Sequence, residues 1–130
     1  MTTARKPRIL LAEDEILCRD LLKAILRSMN CEIVGEASNG VQAVEMYGQL
    51  KPDMMFLDIN MPFKTGDEVL QEILAASPDA FVIVVSSVTD TETVSRCIEM
   101  GAANYIRKDT PVAEIKNIIK ESWSAVKKKA

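Results

Sequence analysis

Three carboxylates, one hydroxyl and one ammonium lie at the ends of apolar runs in this sequence, where they could act together. Glu13 and Asp14 follow the first run, Asp58 and Ser86 close the third and fourth, and Lys108 comes just after the fifth. Clustered carboxylates repel one another unless a cation lies among them, and oxygen ligands without His or Cys suit Mg²⁺, or Mn²⁺ in its place. A hydroxyl and an ammonium aimed at the same point would hold a phosphoryl group. The set predicts phosphoryl chemistry with Asp58 as the nucleophile.

The run that ends in Asp58 carries the most information. Residues 53–62 read Asp-Met-Met-Phe-Leu-Asp-Ile-Asn-Met-Pro, a stretch too short for a typical helix that ends in a carboxylate and then a proline. The pattern indicates a central strand covered on both faces, with Asp58 at its exposed end. An aspartate after a strand is also ordinary turn chemistry, so the run alone leaves both interpretations open.

The other candidates also have plain structural interpretations. Glu13 and Asp14 could serve only to begin the first helix, where acidic side chains interact favourably with the positive end of the helix dipole. Ser87 offers a second hydroxyl beside Ser86, and a loop lysine such as Lys108 is usually solvated. The functional prediction therefore depends on the constellation and not on any one residue.

Short apolar runs alternate with longer stretches of helical periodicity. The runs are Arg8–Ala12, Glu32–Glu36, Met54–Asp58, Phe81–Ser86 and Asn104–Ile106. Strict alternation of strand and helix favours a parallel sheet with right-handed crossovers and helices on both faces. The carboxyl ends of parallel strands share one edge, which would bring the candidate residues together. The predicted fold class is α/β, a flavodoxin-like (βα)5 doubly wound five-stranded parallel sheet.

Apolar spacing and capping signals predict where the helices lie. The first helix would bury Leu17, Leu21, Leu22, Ile25 and Leu26, and the last would bury Ile115, Ile118, Ile119 and Trp123. Expected start signals are Asn39 with Gln42, Thr89 with Glu92, and Thr110 followed by Pro111, and Gly101 is the expected stop of a helix. These signals are typical of helix termini.

Composition limits the classes of function. The chain has 130 residues, 48% of them hydrophobic, and a net charge of −3, which fits one folded domain with no general attraction to nucleic acid or anionic lipid. No segment has the roughly 20 apolar residues of a membrane span, and the first seven residues lack a signal-peptide core, so a cytoplasmic location is expected.

Residue types that are missing or isolated exclude further classes. The chain has no histidine, which rules out nucleophile systems built on His, histidine metal ligands and a phosphohistidine carrier. Cys18, Cys31 and Cys97 form no CxxC pair, so neither a disulfide framework nor a zinc site is expected.

A larger set of residues, taken in order along the chain, resembles a known family. The set is Glu13-Asp14, Asp58 within Asp58-Ile59-Asn60-Met61-Pro62, then Gly66, Ser86, Tyr105 and Lys108. With it the chain resembles the receiver domain of bacterial two-component response regulators, the CheY-like family, over essentially its whole length. The resemblance implies strand order 2-1-3-4-5 and one receiver domain over residues 1–130.

The resemblance also implies a role for each matching residue. Asp58 would accept a phosphoryl group, and Asp14, Asp58 and the backbone carbonyl of Asn60 would bind Mg²⁺. Glu13 would hold a metal-bound water, and Lys108 would pair with Asp58 or the phosphoryl oxygens. After phosphorylation Ser86 would bind a phosphoryl oxygen, and Tyr105 would turn inward to fill the space that this movement vacates. Asn60 and Val88 would lie near the water that limits phosphoryl lifetime.

Partners follow from the same resemblance. A sensor histidine kinase or phosphotransfer protein would donate the phosphoryl group, and the output would be binding of a downstream protein. Signal would leave through the face formed by the fourth helix, fifth strand and fifth helix, around Tyr105. The chain would act as a switch and not as an enzyme on external substrates, either as a monomer or as a phosphorylation-dependent dimer.

One position departs from the family pattern. The family usually follows this lysine with proline, often through a cis peptide, whereas here Asp109 follows Lys108. Because a cis bond to a residue other than proline costs roughly 2.5–4 kcal/mol, we predict a trans bond. The extra carboxylate of Asp109 is expected to draw Lys108 away from the site.

Three alternatives to a phosphorylated stand-alone receiver compete. Haloacid-dehalogenase-like phosphatases also use an aspartyl phosphate, but their signature needs a second Asp where this chain has Asn60. A degenerate receiver that binds partners without phosphate is a second alternative, supported by the Lys108-Asp109 departure. The third is a receiver excised from a longer regulator with an output domain.

Overall fold

The computed structural model describes residues 6–87 and 89–129. Strands and helices alternate as predicted. The strands are β1 Arg8–Ala12, β2 Glu32–Ala37, β3 Met54–Asp58, β4 Val82–Ser86 and β5 Asn104–Arg107. The helices are α1 Ile16–Ser28, α2 Gly40–Leu50, α3 Gly66–Ala76, α4 Thr91–Met100 and α5 Val112–Lys129. Val88 lies outside the described residues. So do residues 1–5, most of the N-terminal segment in which the sequence analysis found no signal-peptide core.

The five strands form one sheet in the order β2-β1-β3-β4-β5, and every neighbouring pair is parallel. This confirms the predicted fold class and strand order. The chain moves outward from β1 to β2 and then returns to place β3 on the other side of β1. In sheets of this kind, ligands bind beyond the carboxyl ends of the strands at the point where the order reverses, here between β1 and β3.

Alternate side chains of the strands enter two separate cores, one on each face of the sheet. Toward α2, α3 and α4 point Leu10, Met55, Leu57, Val82 and Val84. Toward α1 and α5 point Ile9, Leu11, Met54, Phe56, Ile83 and Val85. Because both faces are covered, β3 and β4 are buried at every position, as their continuous apolar sequences predicted.

The buried stripe of α1 differs from the predicted one. Leu22, Ile25 and Leu26 are buried, but Leu17 is 86% exposed and Leu21 is 45% exposed. The stripe runs instead through Cys18, which packs against the core one turn before Leu22. Leu17 and Leu21 each precede a stripe residue by one position, a rotation of about 100° around the helix that turns them toward solvent. In α5 the predicted face is confirmed, with Ile115 and Ile119 buried and Ile118 and Trp123 packed beside them.

Helix termini confirm some of the capping predictions. Asn39 caps α2 by accepting a hydrogen bond from the backbone N–H of Gln42, and α4 stops at Gly101, whose φ of 127° suits glycine. The side-chain oxygen of Gln42 accepts from the backbone N–H of Ser38 at 2.9 Å, one residue before the N–H of Asn39 that a capping box would use. The first helical residue of α5 is Val112, so Pro111 comes one position earlier than predicted.

The predicted capping box of Thr89 and Glu92 is wrong. The N-cap of α4 is Asp90, and the hydroxyl of Thr89 lies 3.2 Å from that of Ser87. A capping box that the sequence analysis did not name is found instead at α3, between Thr65 and Glu68. There the Glu68 carboxylate accepts from the backbone N–H of Thr65 at 3.1 Å.

Cys18, Cys31 and Cys97 are all free thiols. The sequence analysis predicted no disulfide framework for them. Burial raises the pKa of Cys97 to about 11, and burial together with nearby Glu13 raises the pKa of Cys18 to about 12. Both thiols are therefore protonated and unreactive at neutral pH. Among the described residues, no helix is both long and apolar enough to cross a bilayer.

Candidate functional site

The carboxylates of Glu13, Asp14 and Asp58 converge at the edge of the sheet where β1 and β3 end. One oxygen from each lies within 4.8 Å of the others. The side chains of Glu13 and Asp58 are fully buried, whereas Asp14 is exposed. The strand pairing explains this convergence, since Ala12 of β1 lies opposite Leu57 of β3, immediately before these acids.

Lys108 reaches the same point from the opposite part of the chain. Its ammonium lies 3.2 Å from Oδ2 of Asp58 and 3.3 Å from Oε2 of Glu13, and it also contacts the carboxylate of Glu15. Its backbone N–H donates to the carbonyl of Ser86 at 2.7 Å, which fixes the loop after β5 against the end of β4. The structure thus brings the predicted lysine onto the predicted acceptor.

The departure at Asp109 has a different effect from the one expected. No peptide bond in the described ranges is cis, so the predicted trans bond after Lys108 is confirmed. The carboxylate of Asp109 pairs with the guanidinium of Arg107 at 2.8 Å, however, and Lys108 stays on the acids. The expectation that Asp109 draws Lys108 away is wrong, because Arg107 is the nearer and better-matched bidentate partner.

Burial and mutual repulsion set the charge state of the acids. Burial first, and then the neighbouring Glu13, raise the pKa of Asp58 to about 7, against the opposing effects of the Asn60 N–H and Lys108. Partial burial and the charge of Asp58 also raise the pKa of Asp14. Partial burial opposes ionisation of Lys108, but the surrounding carboxylates outweigh it and raise the pKa of the lysine.

The donor set fits a small hard cation. Oε1 of Glu13 is buried and accepts no hydrogen bond from the residues that the structure describes. A buried carboxylate oxygen without a partner is costly, and a divalent cation or its bound water would satisfy it. A few carboxylate ligands with room left for water suit Mg²⁺ better than Ca²⁺, which needs a larger number of oxygen ligands from the protein.

Ser86 and Ser87 differ sharply in their surroundings. The hydroxyl of Ser86 is buried and has no hydrogen-bond partner among the described residues. The hydroxyl and the backbone N–H of Ser87 both donate to Asp90, at 2.8 and 3.0 Å. Of the two serines, Ser86 is therefore the one with a free hydroxyl at the end of β4.

Tyr105 lies in β5 and turns outward. Its side chain is 44% exposed. It lines a cavity of about 470 Å³ between α4 and β5, together with Ser86, Val94 and Ile98. The predicted switch residues Ser86 and Tyr105 thus line the same cavity, which has space for an aromatic ring.

Asn60 and Gly66 shape the loop that follows Asp58. The backbone N–H of Asn60 donates to Oδ1 of Asp58 at 3.1 Å, and its side chain donates to Asp90 at 2.9 Å. Gly66 packs so closely on β3 that a Cβ would lie 2.6 Å from the carbonyl oxygen of Asp58. Only glycine lets the backbone at this position pack so closely against Asp58.

Two residues at this edge were not predicted. Glu15 contacts Lys108, and Asp90 holds both Asn60 and Ser87. Glu15 comes directly after Glu13-Asp14, so a third acid in that run was the available signal. Nothing in the sequence around Asp90 distinguished it from a surface acid at the start of a helix.

The fold and the acidic edge define a doubly wound α/β domain with a cluster of three carboxylates, one of them the buried Asp58, at the ends of β1 and β3. Comparison with known proteins agrees with this class. The family model described as the response regulator receiver domain matches residues 9–120. The chain belongs to the response regulator receiver family.

Chemotaxis proteins are among its relatives. The chain is 39% identical to CheY of Thermotoga maritima over 101 residues, which cover 78% of this chain and 84% of that protein. It is 35% identical to CheY of Halobacterium salinarum over 118 residues, 91% of this chain and 98% of that one. A solved complex of CheX and CheY with BeF3 and Mg²⁺ from Borrelia burgdorferi contains a chain that matches with a TM-score of 0.84 at 26% identity, over 89% of this chain and 88% of that one.

Proposed function

We propose that this receiver is a phosphorylation-controlled switch of a two-component system or phosphorelay, with Asp58 as the phosphoacceptor and Mg²⁺ as the cofactor. The single observation that carries the proposal is the contact between the ammonium of Lys108 and Oδ2 of buried Asp58, inside a cluster of carboxylates. A merely structural ion pair would not need two further acids packed against it. A phosphoryl site needs both the acids and the cation.

The metal site is proposed from the acidic cluster. Asp14, Asp58 and the backbone carbonyl of Asn60 would bind Mg²⁺, and Glu13 would hold one of its waters. The buried, unpartnered oxygen of Glu13 supports that assignment. When bound, Mg²⁺ would supply positive charge that offsets the charge on the transferred phosphoryl group. Mn²⁺ would serve as a substitute.

The transfer itself needs few groups from the protein. A carboxylate oxygen of Asp58 attacks the phosphorus, a new O–P bond forms, and the bond from phosphorus to the donor nitrogen or oxygen breaks, with its electron pair leaving on the donor. Lys108, already beside Oδ2, neutralises the equatorial phosphoryl oxygens. The chain therefore takes part in its own modification without turning over an external substrate.

The switch is proposed to be a population shift between two packings of the β4–α4 loop. The free hydroxyl of Ser86 would bind a phosphoryl oxygen, and Tyr105 would move from its exposed position into the cavity that it shares with Ser86. This movement changes the surface formed by α4, β5 and α5, to which a downstream protein would bind.

Donor and output are proposed from the family. A sensor histidine kinase or phosphotransfer protein would supply the phosphoryl group. For the output face, Tyr105→Ala is expected to alter binding of the downstream protein while leaving phosphorylation intact. Loss of phosphorylation in Tyr105→Ala would count against the assignment.

Intact mass spectrometry tests the proposal. The protein is incubated with acetyl phosphate and Mg²⁺, alongside Asp58→Asn and a sample with the metal chelated. The expected result is one phosphoryl adduct that is lost in both controls. If no adduct forms here or with candidate kinases, and beryllofluoride does not bind, the chain is a receiver that binds partners without phosphate.

A further inference from the structure

Glu15 occupies the N-cap position of α1 but does not cap the helix. Its side chain makes no capping hydrogen bond and extends to the ammonium of Lys108 instead. The backbone around it is fixed, since its N–H donates to Oε2 of Glu13 at 3.1 Å and its carbonyl accepts from the N–H of Arg19 at 2.9 Å. Glu15 is therefore held at the rim of the site with its carboxylate on the lysine.

The contacts of Lys108 leave it with no unused donor. A lysine ammonium has three N–H groups, and here three carboxylates surround it, those of Asp58, Glu13 and Glu15. The first two are buried, whereas the side chain of Glu15 is 63% exposed. Glu15 thus places a negative charge at the solvent side of the cation that the proposed function assigns to the incoming phosphoryl group.

We infer that Glu15 is a selectivity-determining residue that disfavours small dianionic phosphodonors. This inference rests on the proposed function of Asp58. The Glu15 carboxylate repels a free dianion that approaches from solvent. The dianion must also compete with Glu15 for the ammonium of Lys108, with which Glu15 is already paired. A monoanionic donor is repelled less, because the interaction scales with the product of the charges. Glu15 therefore makes phosphorylation of this receiver depend more on protein donors, which bind it through an interface of their own, than on small molecules free in solution.

Two small donors of different charge separate this effect from a general change in reactivity. Acetyl phosphate is a dianion near neutral pH and loses acetate when Asp58 attacks phosphorus. Phosphoramidate carries one net negative charge and loses ammonia in the same attack. The rate of adduct formation is measured for both donors at saturating Mg²⁺, in wild type, Glu15→Gln and Asp20→Asn. Asp20 is an exposed acid of the same helix, so its variant changes the net charge equally.

The expected result is an increase of about threefold to tenfold in the rate of Glu15→Gln with acetyl phosphate and a smaller increase with phosphoramidate. The gain with acetyl phosphate should shrink as salt is raised, since the Debye length falls to about 10 Å at 0.1 M. Asp20→Asn should match wild type with both donors. A residue with a merely structural role would not alter the ratio of the two rates.

Failure of the inference and failure of the proposed function give different results. If wild type is labelled but Glu15→Gln shows the same ratio of rates, the role of Glu15 is overturned and Asp58 remains the acceptor. An equal gain in Asp20→Asn also overturns it, because net charge alone would then explain the effect. If neither donor labels any of the three proteins, the inference is overturned, and the phosphoacceptor assignment is overturned with it only when candidate kinases give no adduct and beryllofluoride does not bind.

Discussion

The ammonium of Lys108 lies 3.2 Å from Oδ2 of Asp58, across 50 positions of the sequence. Parallel strand order creates this relationship, because β3 and β5 flank β4 and end at the same edge. The lysine offsets part of the repulsion between the buried acids, so the fold should be less stable when Lys108 is replaced.

Replacing the lysine should destabilise the fold when no divalent cation is present. Lys108→Met leaves buried carboxylates without their cation and is expected to lower the free energy of unfolding by about 2 kcal/mol, less than a fully buried pair because Lys108 is partly exposed. Mg²⁺ should restore part of the loss. Urea unfolding with and without Mg²⁺ measures both effects.

Lys64→Met is the matched control for this variant. Lys64 pairs with Glu72 on the surface, where both side chains are about one-third or more exposed. Such pairs contribute at most about 1 kcal/mol, and Mg²⁺ should not affect the result. A loss in Lys108→Met no larger than in Lys64→Met would show that the lysine does not stabilise the acids.

Removing the charge of Asp58 should stabilise the metal-free protein at high pH. An acid whose pKa is higher in the folded state binds more protons there, so stability falls as the pH rises from the unfolded pKa near 4 to the folded pKa of about 7. Asp58→Asn is expected to raise the free energy of unfolding on the order of 2 kcal/mol at pH 8 and much less at pH 5.

Denaturant unfolding at the two pH values measures this difference, with the exposed Asp79→Asn as control. A gain that is equal at pH 5 and pH 8 would show that Asp58 is already ionised at the lower pH. A gain of the same size in Asp79→Asn would attribute the effect to net charge.

Phe63 should be a site where a smaller polar residue stabilises the fold. Its φ is 72°, in the left-handed region, and its ring is 83% exposed. Left-handed backbone costs about 1–2 kcal/mol for most residues and less for Asn. Phe63→Asn is expected to raise the free energy of unfolding by about 1 kcal/mol, whereas Phe63→Leu, which keeps the strain, should not. Thermal unfolding of the two variants distinguishes them.

The two threonines at helix starts should respond differently to truncation. Thr65→Ala removes the capping box of α3 and is expected to cost about 1 kcal/mol. Thr89→Ala removes a hydroxyl that does not cap α4, so its effect should stay within about 0.5 kcal/mol. Equal losses in chemical denaturation would contradict the placement of the caps.

The fold was predictable because its signals are local. Apolar runs of strand length and the alternation with helices indicated the sheet to within about one residue at most strand ends. The face of α1 was not predictable to the same accuracy, since eight apolar residues lie in its first three turns and only tertiary packing selects Cys18 over Leu17. The cap Thr65 was not predicted, because the irregular segment Pro62–Lys64 before it gives no clear signal in the sequence of where α3 begins.

The candidate site was predictable in its main residues for a topological reason. Parallel strands bring their carboxyl ends together, so Asp58, Ser86 and Lys108 could be grouped from their positions alone. Side-chain direction was not available from the sequence, and the contact of Glu15 with Lys108 depends on it. The same limit explains the wrong expectation for Asp109, whose neighbour Arg107 proved to be its partner.

Chemical trapping of the acceptor tests the central claim most directly. After incubation with acetyl phosphate and Mg²⁺, borohydride reduces an aspartyl phosphate to homoserine, which peptide mapping locates in the chain. We predict homoserine at position 58 alone, absent from samples without Mg²⁺. Homoserine at another aspartate, or none in a protein that gains a phosphoryl group, would contradict the assignment of Asp58 as the phosphoacceptor.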